Sequence, residues 1–140
     1  MTNSNEPPTR HIVETQIRVR YAETDQSGVV YNANYLIWFE VARGEFFWQR
    51  GMDYGRDVEG RGFVWPVTEA GLRYSAAAHY GEIVTVRAWV EEVKSRSLTL
   101  RYEVVRDGQT LCTGFTKHLN IDRSGRVVPL PQELRDLLSS

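Results

Sequence analysis

Cysteine is nearly absent: Cys112 is the only one in 140 residues. One thiol closes no internal disulfide, so the fold must be held by its core, and the composition fits a reducing compartment. An excess of either charge sign is also lacking, with 17 Lys and Arg against 18 Asp and Glu and a formal net charge of -1. No global field draws such a chain to nucleic acid or to an anionic membrane. An anionic ligand has to be met by a local basic cluster or by backbone N–H groups. No stretch approaches the ~20 apolar residues of a membrane span. The polar segment 1–10, with Pro7 and Pro8, holds no apolar run like that of a signal peptide. The expectation is a cytoplasmic protein with a disordered tail at 1–10 and one domain at 11–140.

Several catalytic patterns are missing too. Without a Gly-x-Ser-x-Gly elbow, the serine hydrolase arrangement has no support. There is no Gly-rich phosphate loop with its lysine, and Gly60-Arg61-Gly62 neither follows a predicted strand nor opens a helix. His11, His79 and His118 have no metal-ligand spacing, so neither a metal nor a cofactor is expected. Cys112 lies in an alternating stretch, and His118 is too far along the same predicted strand to activate it at ~3.3 Å per residue. Cys112 therefore reads as a packed strand thiol.

What is present is a clear order of elements. Alternation at Val13, Thr15, Ile17, Val19 and Tyr21 predicts a strand over 11–21. A turn-rich loop, 23–28, leads into the most apolar segment, 31–49. There Tyr35, Phe39, Ala42 and Phe46 share one helical face, and Leu36, Ile37 and Trp38 widen the apolar arc. A helix so apolar should be surrounded by other structure and should end near Gly51. A short helix fits 53–62. Four strands follow at 63–74, 82–93, 97–106 and 110–121, and a short helix fits 131–138. Asp107-Gly108 is the pair of a tight hairpin, and the short connections force antiparallel pairing. The predicted class is α+β, a curved antiparallel sheet of about five strands wrapped around one long central helix.

The segment Tyr21-Ala22-Glu23-Thr24-Asp25-Gln26-Ser27-Gly28-Val29-Val30-Tyr31-Asn32-Ala33-Asn34-Tyr35 places a carboxylate just ahead of a helix N-terminus. Free N–H groups and the helix dipole there can hold a developing oxyanion. A carboxylate beside them can act as general base or nucleophile. A thioester needs little more, because a thiolate leaves readily. From spacing alone, Asp25 reads first as an Asx-turn or helix-capping residue and only second as a catalyst.

Residues 21–43 resemble the signature of the 4-hydroxybenzoyl-CoA thioesterase and YbgC-like acyl-CoA thioesterases. The resemblance rests on Glu23-Thr24-Asp25, Ser27-Gly28, Val29-Val30-Tyr31, Asn34-Tyr35 and Glu40-Val41-Ala42-Arg43. It implies the hotdog fold and acyl-CoA hydrolysis, with Asp25 matching the catalytic aspartate and Gly28 the glycine that passes close to the ligand. Asn32 stands where relatives often show His or Tyr, whose backbone N–H contacts the thioester oxygen. Glu40 is a competing carboxylate, since another hotdog subgroup carries its acid on the central helix; its alternative is a pair with Arg43. Tyr31 and Tyr35 are candidates for the acyl pocket or for plain core. Lys94 and Arg96 align with the region that meets the CoA phosphates, or form a solvated hairpin tip. The resemblance further implies a homodimer or homotetramer, and Trp38, Trp48 and Trp65 look hard to house in a monomer. An acyl-carrier protein as substrate and a non-catalytic acyl-CoA binder are the alternatives.

Overall fold

The structure is a computed structural model that describes residues 11–140, so the expected tail at 1–10 lies outside the described residues. Five strands form one antiparallel sheet in the order β1-β4-β5-β6-β3. They are β1 (Val13–Arg18), β3 (Val67–Tyr74), β4 (Ile83–Val93), β5 (Ser97–Arg106) and β6 (Gln109–Leu119). Side chains alternate across the sheet. Val84, Val86 and Ala88 of β4 and Leu98, Leu100, Tyr102 and Val104 of β5 all face inward and are buried. The long helix α1 (Asn34–Gln49) lies against that face through Tyr35, Trp38, Phe39, Ala42 and Phe46. Phe39 stacks on Tyr102 with centroids 4.3 Å apart and rings tilted by 4°. The terminal helix α2 (Gln132–Ser139) buries Leu134 and Leu138.

Two predicted strands are interrupted. The segment 63–74 divides into β2 (Phe63–Val64) and β3, because Pro66 has no N–H to give a ladder. The segment 110–121 divides at Asn120 into β6 and β7 (Ile121–Asp122), and β7 pairs with β2 in a separate ribbon. Asn120 is buried, its Nδ2 donating to the carbonyls of Val128 and Pro129 and its Oδ1 accepting from the Trp65 indole at 2.9 Å. The expected helix start at 31 moves to Asn34, since 31–33 form a turn. The 53–62 segment is helical in two short pieces, Tyr54–Val58 and Glu59–Arg61.

The expectation that α1 is surrounded holds for one face only. Ile37, Val41 and Trp48 lie at helical spacing and remain exposed. Trp38 and Trp65 are both buried within one chain, so of the three tryptophans only Trp48 is left unhoused. Among the described residues, no helix is long and apolar enough to cross a membrane.

Candidate active site

A 3-10 turn, Tyr21–Glu23, carries the chain from β1 into the loop. Thr24 and Val30 form an antiparallel bridge, and the Asp25 N–H donates to the Val29 carbonyl at 2.9 Å. The loop is thus a small ribbon, turned by Gly28 at φ +85°. A Cβ at Gly28 would meet nothing within 4 Å, so within one chain this glycine supplies backbone conformation rather than clearance.

Asp25 sits at the ribbon tip, exposed. Its Oδ1 accepts from the Ser27 hydroxyl at 2.5 Å and the Ser27 N–H at 2.8 Å. This is the Asx-turn geometry, and it occupies one oxygen only; Oδ2 receives no hydrogen bond among the described residues. The Ser27 hydroxyl, then the Ser27 N–H, hold the carboxyl below its ordinary range. Asp25 is therefore an anion at neutral pH with one oxygen open to solvent.

The ribbon returns through Val30 and Tyr31 to the start of α1. Ala33 occupies the N-cap position and offers no capping side chain. The first bonded amides are Asn34 N–H to the Tyr31 carbonyl at 2.9 Å and Tyr35 N–H to the Asn32 carbonyl at 3.3 Å. The N–H groups of Asn32 and Ala33 have no acceptor among the described residues. Both residues stand at the N-terminal, positive end of the 16-residue helix. The Tyr74 hydroxyl donates to the Asn32 carbonyl at 3.0 Å and fixes this peptide against the sheet edge.

The other sequence candidates are dispersed. Tyr31 is exposed, whereas Tyr35 is core: its ring packs against Trp38 and Tyr74, and its hydroxyl accepts the Ala78 N–H at 3.3 Å. Glu40 is exposed and makes no ion pair with Arg43 among the described residues. Both line a cavity of about 310 Å³ with Phe47, Tyr54, Trp65 and His118. Glu40 lies six residues into α1 from Asn34, ~9 Å along the axis at ~1.5 Å per residue. Lys94 and Arg96 occupy the tip between β4 and β5. Arg18, at the loop end of β1, pairs with Ile83 at the other end of β4. At ~3.3 Å per residue the tip is roughly 30 Å from the Asp25 loop. One chain does not bring these bases to Asp25.

Behind the cavity runs a directional chain of buried polar groups. His118 Nδ1 lies 3.0 Å from the Trp65 carbonyl, which can only accept, so Nδ1 carries the proton. Nε2 then accepts from the Thr116 hydroxyl at 2.9 Å. Thr116 accepts from the Tyr102 hydroxyl at 2.7 Å, and Tyr102 from Arg43 at 3.1 Å. Burial, more than the nearby Arg43 charge, pushes His118 down to about 4, consistent with this neutral tautomer. Burial likewise pushes the Cys112 thiol up to about 11.

Two contributors escaped the sequence. Tyr74 is 42 residues from Asn32, and no periodicity links them. Glu23 belongs to the motif, but nothing in the sequence shows what its side chain does. Its side chain is buried and accepts the Arg20 N–H at 2.8 Å and the Trp38 indole N–H at 2.7 Å. Burial alone would raise its pKa, but the Arg20 N–H, the Trp38 indole and the Arg20 guanidinium outweigh burial and lower it.

Residues 19–138 match the sequence profile of the thioesterase-like superfamily. A Bacillus subtilis protein named provisionally as the acyl-CoA thioesterase YneP is 35% identical, covering 81% of this chain and 82% of its own. The crystal structure of the hypothetical protein TT1821 from Thermus thermophilus is 44% identical with a TM-score of 0.84, covering 90% of this chain and 96% of its own. A DHNA-CoA thioesterase from Staphylococcus aureus is 32% identical with a TM-score of 0.86, covering 91% and 89% respectively.

Proposed function

We propose a function that starts from one premise: this chain belongs to the thioesterase-like superfamily, of hotdog fold, and is a thioester hydrolase. It hydrolyses an acyl-CoA to the free acid and CoA. What supports this reading is that the exposed Asp25 carboxylate stands on the ribbon that leads into α1, and that the N–H groups of Asn32 and Ala33 at the start of that helix have no acceptor among the described residues.

In this mechanism the thioester carbonyl oxygen lies against those two amides, which stabilise the charge that develops on it as the carbon becomes tetrahedral. The free Asp25 oxygen either takes a proton from an attacking water or adds directly to the carbonyl carbon. The lowered pKa keeps Asp25 ionised, which both routes require. Collapse expels the CoA thiolate, a good leaving group that needs no strong acid. The water route gives the free acid at once, whereas the direct route leaves an acyl-Asp25 anhydride, which a water then cleaves to the free acid and the Asp25 carboxylate. Only the Asn32 backbone is used, so its side chain need not match the His or Tyr of relatives.

The active unit is a homo-oligomer, most simply a dimer. The outer edge of β3 is unpaired among the described residues, and Ile37, Val41 and Trp48 leave an apolar stripe on α1. A second chain could also deliver Lys94 and Arg96 to the CoA phosphates, which one chain does not. Tyr31, exposed beside the amide pair, contacts the substrate, and Glu40 is assigned to the cavity rather than to the reaction. The unpaired buried thiol fits the cytoplasm.

The test is thiol release from short, medium, long and aromatic acyl-CoAs, and from matched acyl-carrier-protein substrates, beside the Asp25→Asn variant. Turnover should fall by ~100-fold or more in the variant. A loss under about tenfold with the fold intact would remove Asp25 from its role. Tight acyl-CoA binding without turnover would make the protein a binder.

A further inference from the structure

We infer that Glu23 is a positioning residue that holds the Asp25 carboxylate and the Asn32–Ala33 amides in register, an inference that rests on the thioesterase reading. Five hydrogen bonds converge on this one residue. Its Oε1 accepts the Arg20 N–H at 2.8 Å, and its Oε2 accepts the Trp38 indole at 2.7 Å and the Arg20 guanidinium at 3.3 Å. Its main-chain carbonyl accepts the Tyr31 N–H at 2.9 Å and the Asn34 side-chain amide at 2.8 Å.

These donors come from every piece of the site. Arg20 leads into the ribbon, Tyr31 is the residue before Asn32, Asn34 opens α1, and Trp38 is one turn further along the helix. Glu23 itself stands two residues before Asp25. A single peptide unit and its side chain thereby fix both strands of the ribbon to the first two turns of the helix.

The chemistry of the donors explains why a carboxylate is needed. All three side-chain contacts are N–H donors, and a carboxylate has acceptor capacity for each. A glutamine would present an NH2 group to one of those donors. The Arg20 side chain is 69% exposed against 4% for Glu23, so solvent screens that charge. The buried indole and the Arg20 N–H, rather than the ion pair, set the geometry.

Glu23 does not touch the reacting atoms in this arrangement, so its loss acts through placement. Displacement of a catalytic group by ~1 Å can cost about 100-fold. Glu23→Gln and Trp38→Phe should each lower kcat by ~10- to 100-fold with KM within ~3-fold. The acid limb of the pH profile, belonging to Asp25, should stay in place. Because the two residues share one bond, the double variant should be little worse than either single one. Trp38→Phe carries the test if Glu23→Gln does not fold.

Amide hydrogen exchange separates this inference from the activity. In either variant the Tyr31 and Asn34 amides should exchange about tenfold faster, while Leu100 in the central strand β5 is unchanged. Parent turnover that survives both substitutions within twofold overturns the inference. Unchanged exchange at Tyr31 and Asn34 overturns it as well. If the parent shows no turnover but both variants loosen these amides, the thioesterase reading falls and the clamp stands.

Discussion

At Gly114 the sheet lies tight against Phe39 of α1, and replacing this glycine with alanine gives a sharp test of how the core is packed. A Cβ built there would lie 2.5 Å from the Gly71 carbonyl oxygen and 2.7 Å from Phe39 Cε2. Neither neighbour can yield cheaply. The carbonyl belongs to the paired strand β3, and Phe39 is fully buried and stacked on Tyr102. Overpacking of a tight core costs ~1–3 kcal/mol, and a clash with backbone on one side and a held ring on the other belongs near the top of that range. Relief of glycine's extra chain entropy returns ~0.5–1 kcal/mol. The net loss is about 2 kcal/mol, or ~4–8 °C in Tm for a chain of this size. Thermal unfolding followed by circular dichroism, with urea unfolding to confirm the sign, is the assay. Gly44→Ala is the control: it sits inside α1 with nothing within 4 Å of its Cβ, so it should stabilise by ~0.5–1 kcal/mol. A Gly114→Ala protein melting within ~2 °C of the parent would refute this account of the helix–sheet contact.

Other outcomes follow from the buried polar groups. His118, held down to about 4 when folded against 6.5 unfolded, is neutral in the native state. The unfolded chain binds more protons between those values, so its contribution is complete above pH ~6.5 and is lost as pH falls toward ~4. About 3 kcal/mol is involved by linkage, and urea unfolding across pH 4.5–7 should show a slope that His118→Gln lacks. Tyr102→Phe removes the link between Arg43 and Thr116 and should cost ~1–2 kcal/mol in the same assay, with no loss if the chain of hydrogen bonds is unimportant. Cys112, buried and pushed up to about 11, should react with a disulfide reagent only slowly in the native protein and rapidly in urea. Rapid native labelling would contradict its placement. Sedimentation at micromolar concentration tests the dimer, and a strictly monomeric mass would remove it.

Local patterns were the legible part of the sequence. Period-two alternation located β1 and marked the stretch around Cys112 in β6; β3 carries no such signal, because every residue of Val67–Tyr74 is exposed or half-buried. Asp107 and Gly108 both adopt positive φ, 49° and 78°, as a two-residue hairpin of that composition requires. The site was legible as a segment, since Asp25, Gly28 and the start of α1 are near neighbours in the chain. Long-range polar contacts were not. The Trp65 indole finds Asn120 across 55 residues and His118 finds Trp65 across 53, and no spacing rule announces either partner. The break at Asn120 is of the same kind, because it depends on the Trp65 indole and on the carbonyls of Val128 and Pro129, whereas the break at Pro66 has a local cause that the sequence displays. Tryptophan content gives little ground for assembly, since Trp38 and Trp65 are both buried within one chain and only Trp48 is left exposed.

The strand order has a consequence for how the protein is made. β4, β5 and β6 form a meander of sequential hairpins whose partners are close in the chain, so they can pair as they appear. β1 has no such neighbour: Val13 pairs with Ala88, so β1 waits for about 70 more residues to be synthesised. At ~5–20 residues per second that is a delay of ~4–14 s. During it the apolar helix has no sheet to lie on, and Trp38, Phe39 and Phe46 are exposed to whatever else is near. The nascent chain is most prone to aggregate in this interval, and a chaperone that covers residues 34–49 until β4 emerges would protect it there.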